Sequence, residues 1–228
     1  MNAETAECAS FPESLISSLA KVYVVEMMST ARVSAFLVAF VLPSIAALAP
    51  EKSRPASRQL VTVLTTLARN RPDECIHSLV MPTLMGRAHE SLISGETSNE
   101  VSKAQCELIS RLIKSNCFPI HELSKLVEQS VSIKWSELSM GVITTIVQKK
   151  PTLGSITIKA IVQKIDACSN EAHLVKSTKF STLFHTFVTK YGSQIKDEGS
   201  CEVLLKAATA LTTLLGKAIT SSLKKNQS

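Results

Sequence analysis

The sequence predicts an all-α protein built from antiparallel helix pairs, an α-solenoid of the armadillo or HEAT kind. Glycine and proline together make only 15 of the 228 residues, about half their usual share. Hydrophobic residues recur every three or four positions along most of the chain, and helical stretches pair about every forty residues. A β-sandwich or barrel needs a turn residue about every 8–12 positions, so the low glycine and proline content argues against both.

Ten helices follow from the hydrophobic spacing, of which Leu60, Leu64 and Leu67 are an example. Short connections join the helices into five pairs. One pair cannot bury its apolar face alone, so stacking of the pairs would form the core. The predicted helices are 13–29, 31–48, 55–69, 73–86, 98–115, 119–130, 134–149, 153–167, 171–191 and 199–224.

Capping and proline signals mark the ends of these helices. The sequence TSNE at 97–100 has the pattern of a capping box. Pro72, Pro119 and Pro151 each closely follow a helical stretch, where proline suits the first turn of the next helix. At 155–161 apolar and polar residues alternate as in a strand, but a lone strand would have no partner, so we predict a helix there.

An uncharged stretch of eighteen residues, VSAFLVAFVLPSIAALAP at 33–50, is near the lower limit for a transmembrane helix. Pro43 interrupts it, small residues reduce its hydropathy, and no basic signal-peptide region precedes it. These features favour a buried helix of the array. A membrane-associated helical protein remains the alternative.

The chain is basic, with 25 Lys or Arg against 19 Asp or Glu and a formal charge of +6. The longest basic runs are only pairs, Lys149-Lys150 and Lys224-Lys225. Proteins that bind nucleic acid usually cluster such residues, so we expect no sequence-specific nucleic-acid binding. A nucleic-acid-binding solenoid with salt-sensitive affinity stays as an alternative.

The six cysteines are widely spaced and form no C-x-x-C pair. We therefore expect reduced thiols that pack as small hydrophobic groups, in the cytosol or nucleus. Cys117 and His121 are four residues apart, but no second pair of ligands accompanies them, so no metal site is predicted. The cysteines are Cys8, Cys75, Cys106, Cys117, Cys168 and Cys201.

Signals for catalysis are sparse. The chain has only three aspartates, and its glycines are too far apart for a phosphate-binding loop. A nucleophilic Cys–His pair would need an orienting group and an oxyanion hole, and nothing in the local sequence supplies them. We therefore predict no enzyme activity, no catalytic residues and no cofactor.

An aromatic stripe lies on one predicted helix, at Phe180, Phe184, Phe187 and Tyr191. The stripe could pack in the core or form an exposed face that anchors a partner, and we favour the core. Trp135, near another predicted helix start, has the same two interpretations, and packing is again favoured.

The last predicted helix is the better candidate for partner binding. Its leucines alternate with threonines, and apolar residues on two faces leave it little polar surface. The end helix of a solenoid lacks a following repeat, so an apolar face there marks an interaction site. The predicted partner-binding residues are Leu211, Leu214, Leu215 and Lys217.

Four segments resemble, in order and spacing, the C-terminal domain of Fanconi anaemia group E proteins over 57–224. They are 58–84 (RQLVTVLTTLARNRPDECIHSLVMPTL), 134–138 (KWSEL), 187–195 (FVTKYGSQI) and 204–223, the closing helix. Residues 1–56 match the family only loosely, and 225–228 would be a flexible tail. The long polar region that precedes this domain in animal members is absent from the sequence.

The resemblance implies a nuclear, non-catalytic adaptor of the Fanconi core complex, a ubiquitin ligase assembly. Such an adaptor binds the group C protein and contacts the group D-two protein, which is monoubiquitinated during DNA interstrand crosslink repair. An aromatic residue of the family's last helix is implicated in holding that substrate, and Leu214 takes its place here. This departure implies aliphatic packing at that contact. The alternative function is an unrelated armadillo or HEAT-like scaffold.

Overall fold

A computed structural model describes residues 12, 14–16, 18, 29–48, 55–87, 101–195 and 197–227. Every regular element in these ranges is helical, so the all-α prediction is confirmed, as is a helix over 155–161. The capping box predicted at 97–100 and most of the helix predicted at 13–29 lie outside the described residues. The chain divides into two compact units, an N-terminal unit of residues 1–122 and a C-terminal unit of residues 123–228. The domain division predicted after residue 56 stays a prediction.

Among the described residues of the N-terminal unit, 14–16 and 18 are helical, and four further helices and the start of a fifth have defined bounds. Helix α1 packs against α3, and α2 packs against both α3 and α4. Helices α1 and α3 each contain one wider π-helical turn. The bounds are Thr30–Phe36, Leu37–Val41 (π) and Leu42–Ala46 for α1; Arg58–Asn70 for α2; Pro72–Cys75, Ile76–Val80 (π) and Met81–Leu84 for α3; Lys103–Lys114 for α4; and Ile120–Ser130 for α5.

A proline follows each π turn at the same place, Pro43 in α1 and Pro82 in α3. Proline has no N–H, and its ring collides with the carbonyl one turn earlier in a regular α-helix. A π turn inserts one extra residue, which lets the helix continue past the proline. The two π turns pack against each other, with Leu37 and Ile76 fully buried.

Helix α1 therefore buries much of the uncharged stretch predicted as a core helix. Phe36, Val41 and Ile45 are among its buried side chains. Within the described ranges, no helix combines the length and the apolar character needed to cross a bilayer.

A capping box joins the start of α4 to the end of α1. Ser102 Oγ accepts from the N–H of Gln105, and Gln105 Oε1 accepts from the N–H of Ser102. The same two side chains donate to the carbonyls of Leu48 and Ile45. Two side chains thus bond backbone groups at the start of α4 and at the end of α1.

The C-terminal unit continues with five helices after α5. Helix α8 packs against α6 and α10, and α9 packs against α7 and α10. The bounds are Glu137–Gln148 for α6, Ser155–Ser169 for α7, Thr178–Tyr191 for α8, Glu198–Ala210 for α9 and Leu215–Gln227 for α10, with a 3₁₀ turn at Gly192–Gln194.

The aromatic stripe of α8 is the core of this unit, as predicted. Phe180, Phe184, Phe187 and Tyr191 are each 0% exposed. The Tyr191 hydroxyl donates a 2.6 Å hydrogen bond to the carbonyl of Pro151, so the one polar group of the stripe is satisfied. Burial raises the pKa of this phenol to about 12.

Trp135 is also buried, which confirms the packing interpretation. Its indole N–H donates to the carbonyl of Ser130 at 2.9 Å, across the turn between α5 and α6. Lys164 Nζ lies 6.0 Å from the centre of the ring.

The sequence prediction is wrong where it draws one helix over 199–224. The chain leaves the helix at Leu211, whose ψ angle of 130° is extended, and α10 begins at Leu215. A second difference is the start of α8, at Thr178 rather than at 171. Helix α10 also continues through 225–227, residues that the sequence predicts as part of a tail.

The burial of α8 predicts a large cost for Phe184→Ala. Removing this ring would leave a cavity in the core of the C-terminal unit, and we expect a loss of about 3–5 kcal/mol in the free energy of unfolding. Urea denaturation followed by circular dichroism measures it. Thr182→Ala, at an exposed position of the same helix, is the control and should stay within about 0.5 kcal/mol. Equal stability of the two variants would contradict the assignment of Phe184 to the core.

Tyr191→Phe tests the hydrogen bond to Pro151. The variant leaves a buried carbonyl without its donor, so we expect a loss of about 1–3 kcal/mol at neutral pH.

The folded-state pKa of Tyr191 is raised from 10.0 to about 12, so the unfolded chain releases the phenolic proton at a lower pH than the folded chain does. The contribution of Tyr191 to the free energy of unfolding is therefore fully present below about pH 10 and is lost as the pH rises towards 12. The difference in unfolding free energy between the two proteins should narrow over that range, and a constant difference would contradict the raised pKa.

Candidate protein-interaction surface

The loop 211–214 between α9 and α10 is held by hydrogen bonds to the turn before α8 and to the first turn of that helix. The N–H and hydroxyl of Thr212 donate to the carbonyl of Val175, at 3.2 and 3.4 Å. The Thr213 hydroxyl donates to Ser181 Oγ at 2.8 Å. These bonds involve groups distant in sequence, so the loop conformation is set by tertiary structure.

A close backbone contact at Gly216 fixes the same loop from the α10 side. A Cβ atom at this position would lie 3.0 Å from the carbonyl oxygen of Ala208 and 3.3 Å from the Cβ of Leu211. Both neighbouring groups are short or belong to the backbone, so neither can rotate away. Glycine lets α10 approach the end of α9 this closely.

The four predicted partner-binding residues have different environments in this arrangement. Leu211 is 8% exposed and belongs to the core, and Leu215 is half-buried. Leu214 is 94% exposed, and Lys217, one turn further along, is exposed as well. Leu214 is also in the loop rather than within a helix. Sequence spacing placed all four on one helix, but the structure brings only Leu214 and Lys217 to an open surface.

We call this region the Leu214 surface. Leu214 provides its one large apolar side chain. Lys176 and Lys179 are exposed in the α8 segment to which the loop is bonded. The surface consists of Thr212, Leu214, Lys217, Ala218, Lys176 and Lys179.

Charge is distributed unevenly along the chain. Residues 123–228 contain 14 Lys, no Arg and 7 Asp or Glu, a formal charge of +7. Neither 172–195 nor 203–227, the two segments that form the Leu214 surface, contains an Asp or Glu. The basic balance of the protein is therefore concentrated in the C-terminal unit, which overall composition did not reveal.

A second exposed aliphatic residue in this unit, Ile156, was missed by sequence analysis. It is 84% exposed at the start of α7, beside an open groove of about 530 Å³. Val131 and Ala160 contribute apolar walls, and Glu128 Oε1 accepts a 3.2 Å hydrogen bond from the Thr157 hydroxyl. The alternation of apolar and polar residues at 155–161 was the sequence signal that could have identified Ile156. We used it only to choose between a helix and a strand.

The described residues include no group of three potential metal ligands. Cys117 is buried whereas His121 is exposed and lies 3.2 Å from Glu122 Oε1, so these two candidates face different environments. Burial raises the pKa of the Cys106 thiol to about 12 and that of Cys168 to about 11. Thiolates are the reactive form, so both groups are poor nucleophiles at neutral pH.

No protein-family model matches the chain, and no curated protein matches it in sequence.

The Gly216 contact predicts opposite effects for two Gly→Ala variants. Gly216→Ala would push α10 away from the α9 carbonyls, so we expect a lower melting temperature. Gly141→Ala, inside α6 with nothing within 4 Å of its added Cβ, should gain helix propensity of up to about 1 kcal/mol and melt higher. Differential scanning fluorimetry of both variants measures the effect. A rise in melting temperature for Gly216→Ala equal to that of Gly141→Ala would contradict the close contact.

Proposed function

We propose that the chain is a non-enzymatic adaptor that binds other proteins through its C-terminal unit, similar in role to Fanconi anaemia group E proteins. In that role it would act in the nucleus, bind the group C protein, and position the group D-two protein for monoubiquitination in interstrand crosslink repair. The resemblance over 57–224 supports the identity of the partners. The helical packing and the Leu214 surface support a binding role.

The packing of the C-terminal unit is compatible with antiparallel helix-pair repeats. Helix α8 contacts α6 and α10, and α9 contacts α7, so alternate helices touch. This alternation is what stacked armadillo or HEAT pairs produce, and we propose that the unit is such a solenoid. Proteins of this architecture commonly act as extended binding surfaces, which favours an adaptor over an enzyme.

Leu214 is the observation that carries the binding proposal. A leucine that is 94% exposed is ordinary when its segment is irregular and unconstrained. Here the loop is held by hydrogen bonds from Thr212 and Thr213, yet the side chain stays in solvent. An apolar side chain on a constrained loop suits a binding contact, because little backbone freedom is lost when a partner covers it.

An unrelated armadillo or HEAT-like scaffold is the second candidate function. The two candidates share the Leu214 surface but differ in partners. Binding to the cognate group C protein therefore separates them.

Leu214→Asp should abolish or strongly weaken binding to the group D-two protein while leaving the helical circular dichroism spectrum unchanged. The charge would disrupt an apolar contact, and the exposed position means that folding does not depend on this side chain. Biolayer interferometry with the purified group C and group D-two proteins measures both interactions. We expect binding of the group C protein to survive the substitution.

Ile156→Asp is the matched control, because it places the same charge on another highly exposed aliphatic residue of the same unit. It should leave binding to the group D-two protein intact. If the wild-type chain binds neither Fanconi protein at micromolar concentration, the Fanconi assignment is wrong and the scaffold alternative is favoured. If Leu214→Asp unfolds the protein, Leu214 is not an exposed contact residue.

A further inference from the structure

We infer that the Leu214 surface binds a partner segment in which acidic side chains flank an apolar pocket or an apolar side chain. This inference rests on the proposed binding role of that surface and adds the chemistry of the partner. The inferred partner is a protein rather than a nucleic acid.

The charge of the surface selects for an acidic partner. Lys176, Lys179 and Lys217 are exposed, and none of them forms an ion pair with a side chain that the structure describes. The segments that carry them contain no Asp or Glu over 172–195 and 203–227, and Glu171, which precedes the first segment, has its carboxylate 3.6 Å from His173 Nε2. An acidic partner would gain attraction to all three ammonium groups, whereas a basic partner would be repelled by all three.

The apolar component favours a protein over nucleic acid. Leu214 is 94% exposed in the loop bonded to the lysine-bearing segment, and a phosphate backbone offers no pocket for an aliphatic side chain. All five aromatic residues of the C-terminal unit are 4% exposed or less, so none is available to stack on a base. The unit also has no arginine, the residue best suited to bidentate contacts with phosphates and guanine.

The geometry of the loop adds specificity to this combination. The bonds from Thr212 to Val175 and from Thr213 to Ser181 join the loop that carries Leu214 to the segment that carries Lys176 and Lys179. Apolar and cationic groups from two parts of the chain are thereby presented together. A partner with only acidic residues would contact the lysines but not Leu214, and a partner with only apolar residues would contact Leu214 but not the lysines.

Selection from a random peptide library displayed on phage tests the inference without assuming a particular partner. The wild-type protein is immobilised, and the Leu214→Ser/Lys217→Glu double variant is present in solution as a competitor. Peptides that bind outside the Leu214 surface also bind this soluble variant, so washing removes them with it. We expect the selected sequences to be enriched in Asp and Glu, and in aliphatic residues, relative to the unselected library.

The best selected peptide is then titrated by fluorescence polarisation against single variants. Leu214→Ser should weaken it about tenfold, as expected for loss of an apolar anchor. Lys217→Glu should weaken it as well, and added salt should reduce the affinity of the wild-type protein. Ile156→Ser and Lys159→Glu, at exposed positions of α7, are the matched controls and should have no effect.

Three results would overturn the inference: selection of basic peptides, no enrichment in acidic residues, or a peptide unaffected by both surface substitutions. Short duplex DNA is titrated in parallel. If it binds more tightly than the peptide and is weakened by Lys217→Glu but not by Leu214→Ser, the surface is a nucleic-acid site. The Fanconi assignment is tested independently of this inference. If an acidic peptide binds the surface and neither Fanconi protein binds, only the Fanconi assignment fails. Conversely, binding of the group D-two protein together with failed peptide selection would refute only the inferred chemistry.

Discussion

The C-terminal unit depends on the buried aromatic face of α8. Near its carboxyl end, Tyr191 donates a hydrogen bond to Pro151 and so fixes the connection between α6 and α7. Near its amino end, Ser181 accepts from Thr213 and fixes the loop between α9 and α10. Because Phe184 and Phe187 are wholly buried between these two points, α8 cannot shift without opening the core. The exposure of the loop is therefore a consequence of how the core packs.

The N-terminal unit is constrained in a different way, by prolines inside helices. Pro43 and Pro82 would normally end or kink their helices, yet each follows a π turn that accommodates it. The two turns pack against each other, so each irregularity is buried against the other. At the end of α1, the carbonyls of Leu48 and Ile45 accept hydrogen bonds from the side chains of Ser102 and Gln105. Local departures from ideal helix geometry are thus compensated by contacts within the same unit.

Helix content was predictable from sequence because hydrophobic spacing is a local signal, and the aromatic stripe of α8 was placed correctly in the core for the same reason. The break between α9 and α10 was not predictable from spacing. It depends on Thr212 and Thr213, whose bonding partners are 37 and 32 residues away in sequence. Two adjacent threonines shortly before Gly216 were the only local signal, through their low helix propensity. The candidate site shared this limit: Leu211 and Leu214 look alike in sequence, and only tertiary packing buries one and exposes the other.

The different surroundings of Leu214 and Ile156 explain why exposure alone does not identify a binding surface. Isolated exposed aliphatic residues are common on folded proteins. Ile156 borders a groove whose lining includes the carboxylate of Glu128, whereas the segments around Leu214 contain lysines and no acidic residue. Hydrogen bonds from both loop threonines hold Leu214 in solvent, although the neighbouring Leu211 shows that the core accepts leucine there. A conformation that is fixed by specific bonds, and that buries Leu211 while it leaves Leu214 uncovered, is the basis of the proposed partner contact.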